Sequence, residues 1–375
     1  MPTPIGFLRH NFLARSETFI YGSLRGIHDA GRYSVRVFAT RRLLPERFPW
    51  DDLTLVRGLA RSWYLATRRA SGYTEWARSV KLIHAHLGQS GPYAMAGAAR
   101  AQIPFVVSYY GHDVVMYRTR ERFATWAWWY SLLRTRMFAR AAKILVLSRH
   151  MQHALEAQGC PADRIAIVRL GVDLARFEAA ARTPRDRLAR PLRVLMVGRE
   201  VDKKGFDDGL RACRGAIDRG VPCEVTLLGT GGPLAAPLRA LADQLRVPVA
   251  WPDPASPVPD AMARADVLLV PSRTAANGDE EGTPTVIIEG GAAGLPVVST
   301  RHAGIPEQID DGVTGLLCGE RDVPALAEAL VSLADPDRRA ALGAAARAKM
   351  HEQYSLAAHV ARLEEVYASV LGASP

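Results

Sequence analysis

Two glutamates, Glu281 and Glu289, have the residue type and spacing to hold a ligand for a chemical reaction. A turn-forming Gly282-Thr283-Pro284 and an apolar run typical of a helix lie between them. Proline suits the first turn of a helix, where its missing N–H costs no hydrogen bond. The unpaired N–H groups and positive dipole end of such a helix favour an anionic ligand. The alternative is two unrelated acids near a helix start, where the dipole favours acids anyway.

The spacing of the two glutamates predicts how they share a ligand. On an ideal helix, Glu289 would lie about two turns beyond Glu281, roughly 10 Å further along the axis and on the same face as the loop. One carboxylate would then be at the helix tip and the other on its flank. The pair is therefore predicted to hold two parts of one polyhydroxylated, phosphorylated ligand.

Basic residues follow the apolar run 192–198, which is a predicted strand. Arg199 comes directly after this run, and Lys204 follows five positions later with Lys203 beside it. Fixed cations at the end of a strand stabilise negative charge that develops on a phosphate group, without having to reorganise. For this segment alone, a solvated charged turn is an equally good interpretation.

Short apolar runs alternate with helical stretches along the chain, which predicts βαβ units and parallel sheets. The predicted strands are 34–40, 82–86, 104–110, 143–148, 165–171, 192–198, 224–229, 265–272 and 295–300. A charged, weakly periodic segment at 173–191 is the predicted linker. Because 375 residues exceed one ordinary core, we expect two α/β domains, at residues 1–185 and 186–355.

The charge of the chain is unevenly distributed. Residues 1–185 hold 28 Lys+Arg and 12 Asp+Glu (+16), whereas residues 186–375 hold 20 and 26 (−6). A basic half fits an anionic partner, such as nucleic acid, anionic lipid or a phosphorylated acceptor. The sequence shows no signal-peptide pattern and no membrane-spanning apolar run, and its four scattered cysteines are typical of reduced thiols. A cytoplasmic protein is therefore expected.

A long segment carries a family resemblance. Residues 266–317, ADVLLVPS…EEGTPTVIIEGGAAGLPVVSTRHAGIPEQIDDGVTGLL, closely resemble the nucleotide-sugar site of retaining glycosyltransferases of family 4. This resemblance implies the GT-B fold, an α/β architecture of two Rossmann-like parallel-sheet domains facing a cleft, with ligands at the carboxyl ends of the strands. It also implies that the C-terminal helix, 356–372, packs back onto the first domain.

The resemblance implies a role for each candidate residue of the second domain. Arg199 and Lys204 would act in catalysis by clamping the donor diphosphate, and Lys203 would be a further donor contact. Glu289 would accept hydrogen bonds from the ribose hydroxyl groups, and Glu281 would orient the reacting sugar and stabilise its developing positive charge. Backbone N–H groups that would reach the sugar or phosphate belong to Gly282, Thr283 and Thr285.

The first domain is expected to supply the acceptor side. SYYGHDVVMY (108–117) ends a predicted strand with His112 and Asp113. Members of the family often carry a histidine just after this strand, in a sequence like TFHG, whereas Tyr110 holds that place here. His112 is expected to reach the sugar or acceptor as a catalytic residue, with Asp113 beside it. An interior histidine bonded to Asp113 is the alternative.

The N-terminal segment FLARSETFI (12–20) narrows the resemblance. It is similar to the start of colanic-acid-type exopolysaccharide glycosyltransferases, which carry SETFI after the first strand. Ser16 and Glu17 are therefore expected on the acceptor side of the cleft. A plain helix cap at Ser16 is the alternative.

No metal or other cofactor is expected. The sequence has no His, Cys and Asp cluster with metal-ligand spacing. Asp335-Pro336-Asp337 spells D-x-D, the metal motif of the other major glycosyltransferase fold. It lies between two helical segments late in the chain, which predicts a turn and a helix cap instead.

Arginines and aromatic residues are mixed in the segment 118–143. Aromatic rings with cations suit a membrane interface, so contact with an anionic membrane surface is expected here. A helix packed on the first sheet is the alternative. The aromatic residues of this segment include Trp126, Trp128, Trp129, Tyr130 and Phe138.

The predicted function is transfer of a sugar from a UDP- or GDP-linked donor to a lipid-linked or oligosaccharide acceptor in surface polysaccharide biosynthesis. The enzyme would work at the inner face of the cytoplasmic membrane as a peripheral protein. A nucleotide-sugar 2-epimerase on the same architecture is one alternative. A nucleic-acid-binding protein, suggested by the sequence pI of about 9.7, is disfavoured because the second half is acidic and no nucleic-acid-binding motif is present.

Overall fold

The computed structural model of the chain describes residues 1–14, 17–115, 125–178 and 191–372, apart from the side chains of residues 71 and 125–129. The chain forms two compact units. Unit 1 comprises Met1–Gly171 and Leu356–Pro375, and unit 2 comprises Val172–Ser355. Each unit is an α/β structure built on its own parallel sheet.

The boundary between the units differs from the one expected at residue 185. Val172 pairs with Ser355 in an isolated bridge, and its N–H donates to the Tyr354 carbonyl at 3.0 Å. A short helix, Ala175–Glu178, packs on helices of unit 2. These contacts place residues 172–178 in unit 2 although the sequence assigned them to the first domain. The rest of the predicted linker, 179–190, lies outside the described residues.

The strands of unit 1 form a seven-stranded parallel sheet and a separate two-stranded pair. They are β1 (Thr3–Leu8), β2 (Asn11–Phe12), β3 (Tyr33–Ala39), β4 (Arg41–Arg42), β5 (Leu53–Leu55), β6 (Leu82–His86), β7 (Phe105–Ser108), β8 (Lys143–Val146) and β9 (Ile165–Ile167). The order in the large sheet is β5-β3-β1-β6-β7-β8-β9, and β2 pairs with β4. Every residue of β6 and β7 is buried, as expected for parallel strands covered on both faces.

Helices pack around this sheet. They are α1 (Thr18–Asp29), α2 (Gly58–Thr67), α3 (Ser71–Arg78), α4 (Gly91–Ala101), α5 (His112–Val115), α6 (Thr125–Arg140), α7 (Arg149–Glu156) and α16 (Leu356–Leu371). The C-terminal α16 packs on α1, and its Val360, Leu363 and Tyr367 join the core formed by β1 and β3. The chain thus returns to unit 1 because the apolar face of α16 is buried there.

Unit 2 contains a six-stranded sheet, also parallel throughout. Its strands are β10 (Leu192–Gly198), β11 (Cys223–Gly229), β12 (Val249–Ala250), β13 (Val267–Val270), β14 (Val297–Thr300) and β15 (Gly315–Cys318). Their order is β12-β11-β10-β13-β14-β15. The helices are α8 (Ala175–Glu178), α9 (Phe206–Asp218), α10 (Ala235–Leu245), α11 (Val258–Arg264), α12 (Thr285–Ala292), α13 (Ile305–Gln308), α14 (Val323–Ser332) and α15 (Pro336–Tyr354).

Both sheets have a topological switch point. In each sheet the chain first adds strands on one side of a central strand and then returns to add strands on the other side. The reversal lies between β1 and β6 in unit 1 and between β10 and β13 in unit 2. Ligands of open parallel sheets bind outside the carboxyl ends of the strands at this point. The loops after these four strands are therefore the places to look for a site.

Every predicted strand overlaps an observed strand, but other observed strands were not predicted. Strand β1 was not predicted because proline and glycine interrupt its apolar pattern at Pro4 and Gly6. Strand β15 was not predicted because it begins at Gly315 and follows a turn-forming stretch that contains Gly304 and Gly312. Both strands lie in parallel ladders, where pairing with a neighbour decides strand formation more than local propensity does.

The helix after Glu281 begins later than the sequence suggested. Pro284 is the N-cap, with an extended backbone, and α12 starts at Thr285. The estimate of two helical turns between the glutamates is therefore wrong. Glu289 lies only one turn into the helix, about 6 Å along its axis from Thr285.

Candidate active site

The loop after β10 places a lysine at the switch point of unit 2. A 3-10 turn, Asp202–Lys204, is followed by Gly205 in the left-handed conformation (φ 60°). A Cβ atom at Gly205 would lie 1.9 Å from the Pro271 carbonyl oxygen, so only glycine allows this close approach. The loops after β10 and β13 therefore touch, and this contact positions Lys204 opposite the loop that carries Glu281.

Lys204 and Glu281 form an ion pair. The Lys204 Nζ lies 2.9 Å from Oε1 of Glu281, and both side chains are largely buried. Burial opposes ionisation of Glu281, but the nearby Lys204 and Lys203 ammonium groups hold the pKa of its carboxyl group below the ordinary value. The carboxylate is thus charged at neutral pH.

A histidine and a second carboxylate support the Glu281 backbone. The Glu281 N–H donates to Nε2 of His302 at 3.0 Å, so the opposite ring nitrogen, Nδ1, donates to Oε1 of Glu320 at 2.6 Å. Glu320 also accepts the Thr274 N–H at 2.9 Å. This chain fixes the loop that carries Glu281, and sequence reasoning missed it because His302 and Glu320 follow two different strands, β14 and β15.

Lys203 holds a loop rather than facing a ligand. Its buried Nζ donates to Asp279 Oδ1 at 3.1 Å and to the Glu280 carbonyl at 3.0 Å. The family resemblance implies that Lys203 is a donor contact, but these two bonds make it a positioning residue for the segment before Glu281.

Arg273 ties the same loops together from the other side. Its guanidinium pairs with Asp202 at 2.7 Å and with Asp208 at 2.5 Å, and Asp207 lies 3.0 Å away. Three carboxylates around one buried guanidinium leave it fully occupied. Arg273 therefore fixes the lysine-bearing turn to the start of α9.

Arg199 differs from these cations because its side chain is exposed. Within the described part of the chain, its guanidinium makes no hydrogen bond or ion pair. It follows β10 directly, at the switch point of the sheet. An exposed cation at this place can bind an anionic ligand without first breaking a contact.

Glu289 lies on α12 and is partly buried. Burial raises the pKa of its carboxyl group to about 7, although a hydrogen bond from Thr285 and the charges of Arg176 and Lys204 favour the ionised form. Thr285 is thus a partner of Glu289 as well as the first residue of the helix. The Thr283 hydroxyl oxygen is buried and makes no hydrogen bond with the described residues, and Gly282 lies in the adjoining bend.

Glu200 is a residue of this site that the sequence analysis missed. Its side chain is buried against Gly229 at the end of β11, where a Cβ atom would lie 1.9 Å from Oε1. Among the described residues, its Oε2 atom has no hydrogen-bond partner. A buried carboxylate oxygen without a donor is costly, and a ligand N–H or O–H group would satisfy it. The sequence signal for this residue is the glycine-rich segment 227–233 (LLGTGGP), whose Gly229 and Gly232 lie against Glu200.

In unit 1, Glu17 forms a tight ion pair with Arg9. The Arg9 Nη2 lies 2.5 Å from Oε1, and Oε2 accepts the Ala14 N–H at 2.8 Å. Arg9 directly follows β1, so Glu17 lies at the switch point of unit 1. Ser16, its expected companion, lies outside the described residues.

His112 and Asp113 differ in burial, so His112 is not the interior histidine of the alternative. His112 is exposed, whereas Asp113 is buried and accepts backbone N–H groups from Gly88 at 2.8 Å, Tyr110 at 2.9 Å and Gly111 at 3.0 Å. Asp113 therefore holds the loops after β6 and β7 and does not face an acceptor. Its pKa is raised by burial, which those three hydrogen bonds partly offset.

Tyr110, at the place of the family histidine, contacts a different histidine. Its hydroxyl group lies 2.6 Å from Nδ1 of His86, the last residue of β6. The His86 ring stacks on Phe7 at 3.7 Å between centroids, and burial, with His84 nearby, holds the pKa of His86 well below its ordinary value. The Tyr110–His86 pair is thus a neutral contact beside the switch point of unit 1.

Two further buried histidines extend this neutral network toward α16. His84 contacts the Tyr367 hydroxyl at 2.6 Å and the Ser108 hydroxyl at 2.7 Å, and burial lowers its pKa to about 3. His359 contacts the Ser23 hydroxyl at 2.7 Å, and burial lowers its pKa to about 4. Both rings are neutral at physiological pH and bind their partners through hydrogen bonds only.

The described part of the chain contains no group of three or more His, Cys, Asp or Glu residues arranged to hold a metal ion. Asp335 accepts the Asp337 N–H at 2.9 Å and caps α15, as the sequence predicted for the D-x-D motif. No helix in the described ranges is both long and apolar enough to span a membrane.

The segment 118–143 falls partly outside the described residues. Residues 118–124 and the side chains of Trp126, Trp128 and Trp129 are not described, so the expected membrane contact of these aromatics stays a prediction. Tyr130 and Phe138 are buried, and the Tyr130 hydroxyl lies 2.5 Å from that of Tyr109. These two aromatics therefore belong to the core of unit 1, as the alternative of a packed helix required.

Two α/β units with parallel sheets of this strand order define the GT-B class of glycosyltransferases, and solved structures agree. A structure of HepE (Alr3699) from Anabaena with UDP and glucose is similar with a TM-score of 0.75 and 18% identity, covering 98% of this chain and 100% of that one. At this identity the likeness establishes the fold, which is the one that the resemblance implied.

The chain belongs to the group 1 glycosyltransferase family. Residues 191–336 match the family described as Glycosyl transferases group 1, and residues 16–171 match the Glycosyl transferase 4-like domain. The putative colanic acid biosynthesis glycosyltransferase WcaL of Escherichia coli is 32% identical over 85% of this chain and 78% of its own length. The amylovoran biosynthesis glycosyltransferase AmsK of Erwinia amylovora is 38% identical over 59% of this chain and 54% of its own length. The chain thus matches about half of AmsK.

Proposed function

We propose that the chain is a retaining glycosyltransferase that moves a sugar from a nucleotide-sugar donor to a lipid-linked polysaccharide acceptor in exopolysaccharide biosynthesis. The arrangement at the switch point of unit 2 carries the proposal. It combines an exposed Arg199 and the Lys204–Glu281 ion pair, in the loops after β10 and β13, with the Glu289 carboxylate on the following helix α12. Such a set offers cations for a diphosphate and carboxylates for hydroxyl groups.

The charges suggest how the site would hold the donor. Arg199 and Lys204 would bind the diphosphate and stabilise the charge that develops when the sugar leaves. Glu289 would accept hydrogen bonds from the ribose hydroxyl groups. Glu281, which is ionised and fixed by Lys204, would accept hydrogen bonds from hydroxyl groups of the sugar. Three further residues do not contact the donor but hold the loops that carry these groups: Lys203, His302 and Arg273.

The proposed reaction is a front-face displacement. The acceptor hydroxyl oxygen bonds to the anomeric carbon from the face on which the carbon–phosphate-oxygen bond breaks. The leaving nucleoside diphosphate keeps that bonding electron pair, and one of its phosphate oxygens takes the acceptor proton. The negative Glu281 carboxylate would stabilise positive charge on the sugar in the transition state. Because the acceptor enters on the face from which the leaving group departs, the configuration at the anomeric carbon is retained, and no protein nucleophile is required.

The names of the relatives support the choice of acceptor and donor. WcaL and AmsK are described as colanic acid and amylovoran biosynthesis enzymes, and HepE was solved with UDP and glucose. UDP- and GDP-linked sugars are both candidates. In unit 1, the Arg9–Glu17 pair and the exposed His112 would face the acceptor. The proposal includes the place where the enzyme works. Because such acceptors are extended at the cytoplasmic face of the membrane, the enzyme would work there.

A thermal-shift panel of nucleotide sugars tests the proposal directly. A ligand that binds the folded protein at 100 times its Kd stabilises it by about 2.7 kcal/mol, so the correct donor should raise Tm clearly. Glu289→Ala should abolish the shift. If no nucleotide or nucleotide sugar raises the Tm of the wild-type protein, the donor assignment is wrong. With the donor known, NMR of the product's anomeric configuration would show inversion if the retaining mechanism were wrong.

A further inference from the structure

Helix α2 of unit 1 presents two large apolar side chains to solvent. Leu59 is 90% exposed and Trp63 is 60% exposed, and the two lie one turn apart on the same helix face. Tyr64, on another face of α2, is buried in the core, so the helix is anchored to the unit while this apolar pair is left uncovered. An exposed tryptophan beside an exposed leucine is a feature of interaction surfaces rather than of ordinary solvent-facing helices.

Arginines surround this apolar pair, and acids are absent from the segment. Between Leu53 and Thr74 the sequence has four arginines, at 57, 61, 68 and 69, and no aspartate or glutamate. Arg57 and Arg69 flank the two ends of α2 and are exposed. The closest acids in sequence are Asp52, which pairs with Arg36 at 3.4 Å, and Glu75 on α3. The local charge is therefore strongly positive.

An open cavity lies beside the helix. It has a volume of about 650 Å³, and its lining includes Leu59, Trp63, Arg69 and Arg100. Arg100 reaches it from α4, where its guanidinium also donates to the Arg68 carbonyl at 2.7 Å. The cavity thus combines an apolar wall with two guanidinium groups, which suits a ligand that has a phosphate group next to a hydrocarbon part.

We propose that Leu59, Trp63, Arg57 and Arg69, which we call the α2 surface, dock the enzyme on an anionic phospholipid bilayer. The tryptophan and leucine would enter the interface between headgroups and acyl chains, and the arginines would contact lipid phosphates. Each arginine near an anionic bilayer adds about 1 kcal/mol of attraction. The α2 surface deepens the proposed function, because it rests on a lipid-linked acceptor and names the part of the chain that would bring the enzyme to it.

Vesicle co-sedimentation of the full chain tests the α2 surface. The protein is mixed with phosphatidylcholine vesicles or with vesicles that also contain phosphatidylglycerol, at low and at high salt. We expect binding to the anionic vesicles only, weakened by salt because the attraction is screened. Leu59→Ser/Trp63→Ser should reduce the partition coefficient roughly tenfold or more. Arg57→Gln/Arg69→Gln should reduce it by about fivefold for each arginine.

Two matched variants make the result specific. Val313→Ser changes a residue of unit 2 that is 60% exposed, as Trp63 is, and should leave vesicle binding unchanged. Leu132→Ser changes a residue of α6 that is 59% exposed and tests the segment 118–143 as the membrane contact. Release by Leu132→Ser but not by Leu59→Ser/Trp63→Ser would move the docking surface to α6 and overturn the proposal. Only variants whose Tm equals that of the wild-type protein are compared.

Other outcomes also overturn the proposal. They are a wild-type protein that stays in solution with anionic vesicles, equal binding to both vesicle types, or a concentration-dependent dimer that Leu59→Ser/Trp63→Ser dissociates. The last outcome would make α2 a contact between two copies. Nucleotide binding is measured with the same protein preparations in the absence of vesicles. Its loss would contradict the proposed function alone, whereas intact nucleotide binding with no vesicle binding would contradict only the α2 surface.

Discussion

The switch points of the two sheets lie at equivalent places but differ in how many charged groups surround them. Beside the one in unit 1, the Arg9–Glu17 ion pair is accompanied by His84, His86 and His359, which are buried, neutral and bound to hydroxyl groups. At the one in unit 2, lysines and carboxylates are paired as ions, and the exposed Arg199 adds a further charge.

The difference teaches how one architecture divides two tasks. A neutral network in a low-dielectric interior fixes side-chain orientation by hydrogen bonds and carries little field to a ligand. An ion-pair network with an additional exposed cation can exchange partners with a charged ligand such as a diphosphate. The charged groups of unit 2 therefore support the proposed binding of a charged donor there, whereas unit 1 offers mainly neutral hydrogen-bonding groups beside the Arg9–Glu17 pair.

The largest expected effect is acid unfolding that starts in unit 1. Burial also lowers the pKa of His10, which follows β1 and whose Nε2 lies 3.3 Å from the Tyr64 hydroxyl. The folded-state pKa values of His10 and His84 are about 3 and that of His359 about 4, all below the unfolded value of 6.5. The unfolded chain therefore binds more protons, and stability falls as pH drops below about 6.5, by about 1.4 kcal/mol per histidine for each pH unit. Hydrogen exchange from about pH 7 to about pH 4 measures it.

Glu281 of unit 2, which is paired with Lys204, titrates in a lower window. The pKa of Glu281 is lowered from the model-compound value of 4.5, so its contribution is lost only as pH falls below that value. Amides of unit 1 should thus lose protection at a higher pH than amides of unit 2. His153→Asn, at an exposed position, is the control and should not alter the profile. Earlier loss in unit 2 would contradict the comparison.

The second effect concerns the Lys204–Glu281 pair. Lys204→Met leaves a largely buried carboxylate without its counterion, which should lower the free energy of unfolding by about 3 kcal/mol. Lys204→Met/Glu281→Gln should recover most of this loss, because no unpaired charge remains. Urea denaturation of the two single variants and the double variant gives the coupling energy. Additive changes would mean that the two groups do not interact.

The third effect isolates ligand binding from stability. Arg199→Ala should weaken nucleoside diphosphate binding by about 2 kcal/mol, the strength of one charged hydrogen bond, and leave the free energy of unfolding unchanged. The reason is that its exposed guanidinium has no partner among the described residues. Calorimetric titration with UDP and GDP measures the affinity, and Arg264→Ala on the exposed side of α11 is the control. A loss of stability would show a structural role for Arg199.

The smallest effect is a pH dependence of donor binding through Glu289. Its pKa of about 7 lies above the unfolded value of 4.5, so the protonated form is favoured in the free protein and stability falls as pH rises through that window. The ionised form of Glu289 accepts hydrogen bonds from hydroxyl groups more strongly than the protonated form does. Nucleotide affinity should therefore rise by about 1 kcal/mol from about pH 6 to about pH 8. Glu289→Gln should bind with a flat profile. A flat wild-type profile would remove Glu289 from the ribose contact.

Sequence patterns sufficed for the architecture and for the principal site segment. Alternating apolar runs predicted the parallel sheets of both units, and the motifs that contain Lys204 and Glu281 lie in loops that meet in unit 2. These features are local, because a strand pattern or a loop motif is contained in a few consecutive residues.

The partners of individual side chains were beyond the sequence. Lys203 and Lys204 are neighbours in the chain, yet one holds the Asp279 loop and the other pairs with Glu281. His302, Glu320 and Glu200 come from three different strands, and only the order of the sheet brings them to one edge. Such assignments depend on long-range geometry, which composition and periodicity do not contain.

The bridge between Val172 and Ser355 has a consequence for engineering the chain by excision or circular permutation. Because unit 2 begins and ends at these paired residues, its two termini are adjacent, and the whole unit is an insertion into a sequence that α16 completes. A segment with adjacent ends can be excised or circularly permuted without stretching the backbone. Joining Gly171 to Leu356 through a short linker would correspondingly close unit 1, with α16 still covering α1.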